Sequence, residues 1–107
     1  MKQDLPKPPR AFDAFSERFP TVRKAWDTLG EAGSEGPLDE KTARLVKLAV
    51  SIGAMREGGV HSSTRKALAL DVTPAELDHV VALCVSTIGF PGSVAVWTWI
   101  RDVTEKR

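Results

Sequence analysis

The segment Met55-Arg56-Glu57-Gly58-Gly59-Val60-His61-Ser62-Ser63-Thr64 gathers more chemically capable side chains than any other part of the chain. It sets a guanidinium, a carboxylate, an imidazole and three hydroxyls around a pair of glycines. Glu57 and His61 are four residues apart, and Thr64 follows three later. On a continuous helix these three share one stripe. A carboxylate beside an imidazole is a proton-transfer pair, because the anion orients and stabilises the protonated ring. If Gly58-Gly59 breaks the chain instead, His61 sits in the first turn of the next helix, where the dipole favours the neutral ring. Arg56 offers a fork of donors to a carboxylate ligand. Ser62 and Ser63 can hydrogen-bond the same ligand. Glu57 and His61 are thus the expected catalytic pair, and Arg56, Ser62 and Ser63 the expected substrate contacts. The plainer alternatives are a solvated or capping Glu–His pair, a salt-bridged or subunit-contacting Arg56, capping serines and a helix break at the glycines.

Other reactive groups carry less. Ser63-Thr64-Arg65-Lys66 fits the short Ser-x-x-Lys pattern of some acylating enzymes, but the chain is small and has no companion Lys-Thr-Gly. His79, beside Asp78, reads as a polar-face residue, and Cys84 as a small core residue. Two His and one Cys, widely separated, give no metal-ligand spacing, so neither metal nor cofactor is expected. A single Cys excludes an internal disulfide and intramolecular dithiol chemistry.

The elements that position this segment follow from length and pattern. A chain of 107 residues suits one domain, expected over 11–107 behind a flexible arm over 1–10 that holds Pro6, Pro8 and Pro9. A net charge of +1 gives no electrostatic footprint for nucleic acid or membrane. No run approaches the roughly 18–20 apolar residues that span a bilayer. Met1-Lys2-Gln3-Asp4-Leu5-Pro6 lacks the apolar core of a signal peptide, so a cytoplasmic protein is expected.

Ala11 to about Phe19 predicts a short helix with Phe12, Phe15 and Phe19 on one side. Pro20 opens a second, carrying Val22, Trp26 and Leu29. Gly30 to Pro37 reads as a loop. Asp39 is a good N-cap for a third helix, in which Leu45, Leu48, Ala49 and Ile52 recur at helical spacing. Val46 and Val50 lie beside them and predict burial on more than one side. Gly53 and Gly58-Gly59 bracket its end, and Val60 to Leu70 predicts a fourth helix. Thr73, Pro74 and Glu76 form a capping-box start for a fifth, with Val72 and Leu77 as a staple. Its stripe is Leu77, Val80, Val81 and Cys84. Gly89-Phe90-Pro91-Gly92 ends it and starts the last helix.

On that last helix Val94, Val96, Trp97, Trp99, Ile100 and Val103 cover more than half the circumference at about 100° per residue. Trp97 and Trp99 point in nearly opposite directions, so one core cannot take both. A subunit interface is therefore expected. No strand pattern stands out, and the fold class is all-α, a helical bundle.

Several pieces in order carry a family resemblance. They are Leu38-Asp39-Glu40-Lys41-Thr42 leading into Leu45-Val46-Lys47-Leu48-Ala49-Val50, then Arg56-Glu57-Gly58-Gly59, then Thr64-Arg65-Lys66-Ala67-Leu68. Val72-Thr73-Pro74-Ala75-Glu76-Leu77 and Gly89-Phe90-Pro91 follow. From Leu38 to about Val103, about two thirds of the chain, the sequence resembles the carboxymuconolactone decarboxylase family, which includes an AhpD-like alkylhydroperoxidase branch. The resemblance implies an all-helical fold, a homo-oligomer (trimer or hexamer) and a site between helices near subunit contacts. It implies acid–base decarboxylation of a small lactone or carboxylic acid, with a small-molecule carboxylate ligand. The alternative is a non-catalytic scaffold or small-ligand-binding member.

The peroxidase branch carries Cys-x-x-Cys and, four residues on, His. Those positions fall on Arg56, Gly59 and Ser63, and an acidic residue of the preceding helix falls on Arg44. A thiol peroxidase needs a thiolate and a resolving thiol, and this chain has neither there. The decarboxylase branch also places Arg-Glu at this point, but its His too falls on Ser63, two residues after His61.

Overall fold

The computed structural model describes residues 10–105, which form six helices and no strand. Of these, residues 10–38 form one compact unit and residues 39–105 another. The expected arm lies outside the described residues except for Arg10, which begins the first helix.

The first unit is a helical hairpin, α1 (Arg10–Arg18) and α2 (Pro20–Gly33). Pro20 takes the first turn of α2, where its missing N–H costs nothing. The rings of Phe15 and Phe19 lie 5.0 Å apart, and the Arg23 guanidinium sits 5.0 Å above the Phe12 ring. Gly30 does not open a loop as expected. The helix runs through it to Gly33, because an isolated glycine costs a helix only about 1 kcal/mol. Neither helix has a buried residue, and Phe12, Phe15, Phe19, Val22, Trp26 and Leu29 are all exposed.

The second unit holds α3 (Glu40–Gly53), α4 (Glu57–Ala69), α5 (Pro74–Ile88) and α6 (Phe90–Thr104) around one core. Leu48 and Ile52 of α3, Val60 and Ala67 of α4, Leu77 and Val81 of α5, and Val96 and Ile100 of α6 are buried together. Each large aliphatic side chain buried there stabilises the unit by about 1.5–3 kcal/mol. Leu45, Val80, Cys84 and Trp99 pack against that core from the side. Two expected caps are present. Asp39 accepts from the Thr42 N–H at 2.7 Å, and Thr73 and Glu76 form a reciprocal capping box. Val72 and Leu77, the staple pair, are both buried. Gly89 alone joins α5 to α6, at φ +88°, which an L side chain rarely adopts.

Two further expectations are corrected. The third helix is buried on one side only, since Val46 and Val50 are 47% and 66% exposed. Four helices around one core leave no neighbour for that face. The fourth helix begins at Glu57 rather than Val60 and contains both Gly58 and Gly59, so the glycine pair is not a break. At position 59 glycine is placed by packing. A Cβ at Gly59 would stand 2.8 Å from Ser51 Oγ and 3.3 Å from Ser51 Cβ on α3. No helix among the described residues is long and apolar enough to cross a membrane.

Candidate functional site

The turn between α3 and α4 sets the start of the site. Met55 adopts φ +54°, a left-handed conformation that costs an L residue about 1–2 kcal/mol. Its thioether lies beside Gly92 at the start of α6, where even an added Cβ would be in ordinary contact at 3.8 Å. Arg56 then turns extended as the N-cap of α4, with its N–H donating to the Ser51 carbonyl at 3.0 Å. Glu57 falls in the first turn, where a carboxylate suits the helix dipole.

Because α4 runs unbroken from Glu57, Glu57 and His61 lie one turn apart on the same face. Val60 and Ile100 are both buried in the core that joins α4 to α6. That packing carries their near neighbours His61 and Asp102 to the edge of the same seam. His61 Nε2 and Asp102 Oδ2 are 3.1 Å apart, with the imidazole 28% exposed and the carboxylate 52% exposed. One ligating atom from each of Glu57, His61 and Asp102 fits within a mutual distance of 4.8 Å. The result is an imidazole flanked by two carboxylates, open to solvent on one side.

The remaining expected residues are placed differently. Arg56 is exposed at the head of this group. Ser62 is half-buried. Ser63 is buried at 7% exposure and lies two residues from His61, about 200° around the helix and so on its far side. The structure therefore does not bring Ser63 together with Glu57 and His61. Thr64, on the expected stripe, is fully buried and donates its hydroxyl to the Val60 carbonyl at 2.7 Å. It is a structural residue. His79 is exposed, and Cys84 lies against the core, where burial pushes its thiol pKa up.

Asp102 is the residue that sequence reasoning missed. Its only local signal is a carboxylate beside Arg101 near the end of a largely apolar last helix, and nothing in the linear spacing pairs it with a residue 41 positions earlier. A cationic group also emerges where α3 packs on α4. Burial pulls the Lys66 ammonium below its ordinary pKa, and the charges of Arg44, Lys47 and Arg65 pull it further. Arg44 is thus part of a positive cluster with Lys47, Arg65 and Lys66. An open concavity lies elsewhere, at the N-terminus of α3, lined by Asp39, Thr42, Leu45 and Glu76 among others. Of its three carboxylates, those of Asp39 and Glu76 are already held by the caps.

Comparison with known proteins agrees with this architecture. The model of the carboxymuconolactone decarboxylase family matches residues 20–102. Among solved structures, the fold is similar to the crystal structure of apo-lpg0406, a carboxymuconolactone decarboxylase family protein from Legionella pneumophila. The TM-score is 0.76 at 21% identity, over 90% of this chain and 86% of that one. No curated protein matches. With the family model covering most of its length, this chain belongs to the carboxymuconolactone decarboxylase family.

Proposed function

We propose that this family member is a decarboxylase-like lyase acting on a small lactone or β-keto acid that carries a further carboxylate. The observation that supports it is the His61–Asp102 hydrogen bond with Glu57 one turn away. Asp102 orients the ring and stabilises its protonated form, and Glu57 exchanges protons between the ring and solvent. The departing carboxylate leaves as CO2. The electron pair of the broken C–C bond passes into the adjacent carbonyl, and protonated His61 returns a proton to the resulting carbanion. The net change is one carboxylate and one proton converted to CO2 and a C–H bond. Arg56 holds the substrate's other carboxylate. Pairing with the departing one would stabilise the charge that the reaction must remove. Ser62 adds a hydrogen bond, whereas Ser63 reaches a ligand only if α4 is approached from its buried side.

Arg56 and Glu57 are exposed, so a closed pocket needs a wall from outside residues 39–105. In this reading a second copy of the chain supplies it, within a trimer or hexamer. The test is turnover of carboxymuconolactone and related β-keto and lactone acids by the purified protein. His61→Ala is expected to lower the rate by about 100- to 10,000-fold, and Glu57→Ala and Asp102→Asn by less. Turnover indifferent to all three would overturn these roles.

A second reading is a ligand-binding or assembly member without catalysis. It is favoured by Ser63, which stands where the decarboxylase branch has its His and faces the interior. Saturable binding of such acids with no CO2 release would select it.

A further inference from the structure

The Glu57–His61–Asp102 group has a second chemical character that its linear spacing hides. It offers one imidazole nitrogen and two carboxylates from two helices held by a common core. A tetrahedral ion with bonds of about 2.0–2.2 Å keeps its ligand atoms about 3.3–3.6 Å apart. The His61–Asp102 distance of 3.1 Å is already near that value, and all three atoms lie within 4.8 Å. Glu57 is exposed and one turn from His61, so a change of rotamer brings it the remaining distance. The group is also short of positive charge. Two carboxylates outweigh one imidazole in either protonation state, and among the described residues no Lys or Arg ion-pairs with Glu57 or Asp102.

We propose that Glu57, His61 and Asp102 bind a first-row divalent transition-metal ion of the zinc class, with at least one coordination position left to solvent. The imidazole selects zinc, cobalt or nickel over magnesium and calcium, which take all-oxygen shells. The ion takes the lone pair of His61 Nε2 and displaces the hydrogen bond to Asp102. It therefore competes with the proton at the same atom, and metal binding and acid–base turnover exclude one another on a given chain. The site requires only the geometry and does not rest on the decarboxylation reading.

The experiment is calorimetric titration of the chelator-treated full chain with zinc chloride, repeated with magnesium chloride. Cobalt absorption in the visible range serves as a second readout. One zinc per chain is expected, with no heat from magnesium. His61→Ala, Glu57→Gln and Asp102→Asn each weaken zinc by about 100-fold, at least the loss that outer-shell partners alone cause. His79→Ala and Cys84→Ser leave the affinity unchanged. Circular dichroism confirms that the two isosteric variants keep their helices. Absence of zinc binding, or binding unaffected by all three substitutions, overturns the site. Turnover measured in chelator is independent of that result. Absence of zinc binding by the unsubstituted chain with turnover intact refutes this site alone, and zinc binding without turnover refutes the decarboxylase reading alone.

Discussion

Ser63 and Asp102 exchange the importance that position in the chain assigns them. Ser63 is flanked by reactive residues yet faces the core, because two residues on a helix turn a side chain to the far side. Asp102 lies far from that segment in sequence yet completes the polar group, because α6 packs on α4. Residue chemistry also sets the response to acid. The Glu76 carboxyl sits below its ordinary pKa, chiefly because the Thr73 backbone N–H donates to it. A lowered folded-state pKa means stability that is present above the ordinary carboxylate value and lost as pH falls through the lowered one. Wild type is therefore expected to melt above Glu76→Gln at about pH 7, with the gap closing as pH falls below the ordinary carboxylate range. A gap in melting temperature that does not change with pH would show that the carboxylate charge is not what the cap uses.

At the scale of elements, the glycine pair shows how two adjacent identical residues come to have opposite constraints. Gly58 has open space around the position of a Cβ, whereas Gly59 is pressed against Ser51 of α3. Gly58→Ala should stabilise α4 by up to about 1 kcal/mol through helix propensity. Gly59→Val should destabilise by about 1–3 kcal/mol, since a branched side chain cannot turn away from both Ser51 atoms. Urea denaturation of the two variants gives both numbers, and equal effects would dismiss the close approach as the reason for Gly59. The capped starts of α3 and α5 were legible because their donors and acceptors are within three residues. The start of α4 was not legible. Arg56 makes no side-chain cap, and Met55 takes a left-handed turn that no glycine announces.

At the scale of the molecule, the hairpin of α1 and α2 sets the question of assembly. Helices of 9 and 14 residues are marginal alone, and neither buries a residue while six large apolar side chains stay exposed. On α3, Val46 and Val50 are exposed as well. Trp97 on α6 is 37% exposed, although its indole N–H donates to Asp78 and the Arg101 guanidinium stacks on it at 4.4 Å. These surfaces support the proposed homo-oligomer. Sedimentation at micromolar concentration should give a mass that is a multiple of 11.6 kDa. Trp26→Asp with Leu29→Asp should reduce it toward the single chain while α3–α6 stay helical. A wild-type monomer would refute the assembly.

Six helices, the two capped starts, the core-facing stripe of α5 and the family were readable from the sequence alone. Each is written in residues a few positions apart, where backbone geometry leaves little choice. The all-α class followed from the same local periodicity. Which side of α4 faces solvent, and which residue meets His61 there, was decided only when α4 and α6 buried Val60 and Ile100 in one core. The segment between Met55 and Thr64 supplies Glu57 and His61 to the polar group. Its third member lies 41 residues from His61 on another helix, and long-range packing rather than spacing brings it in.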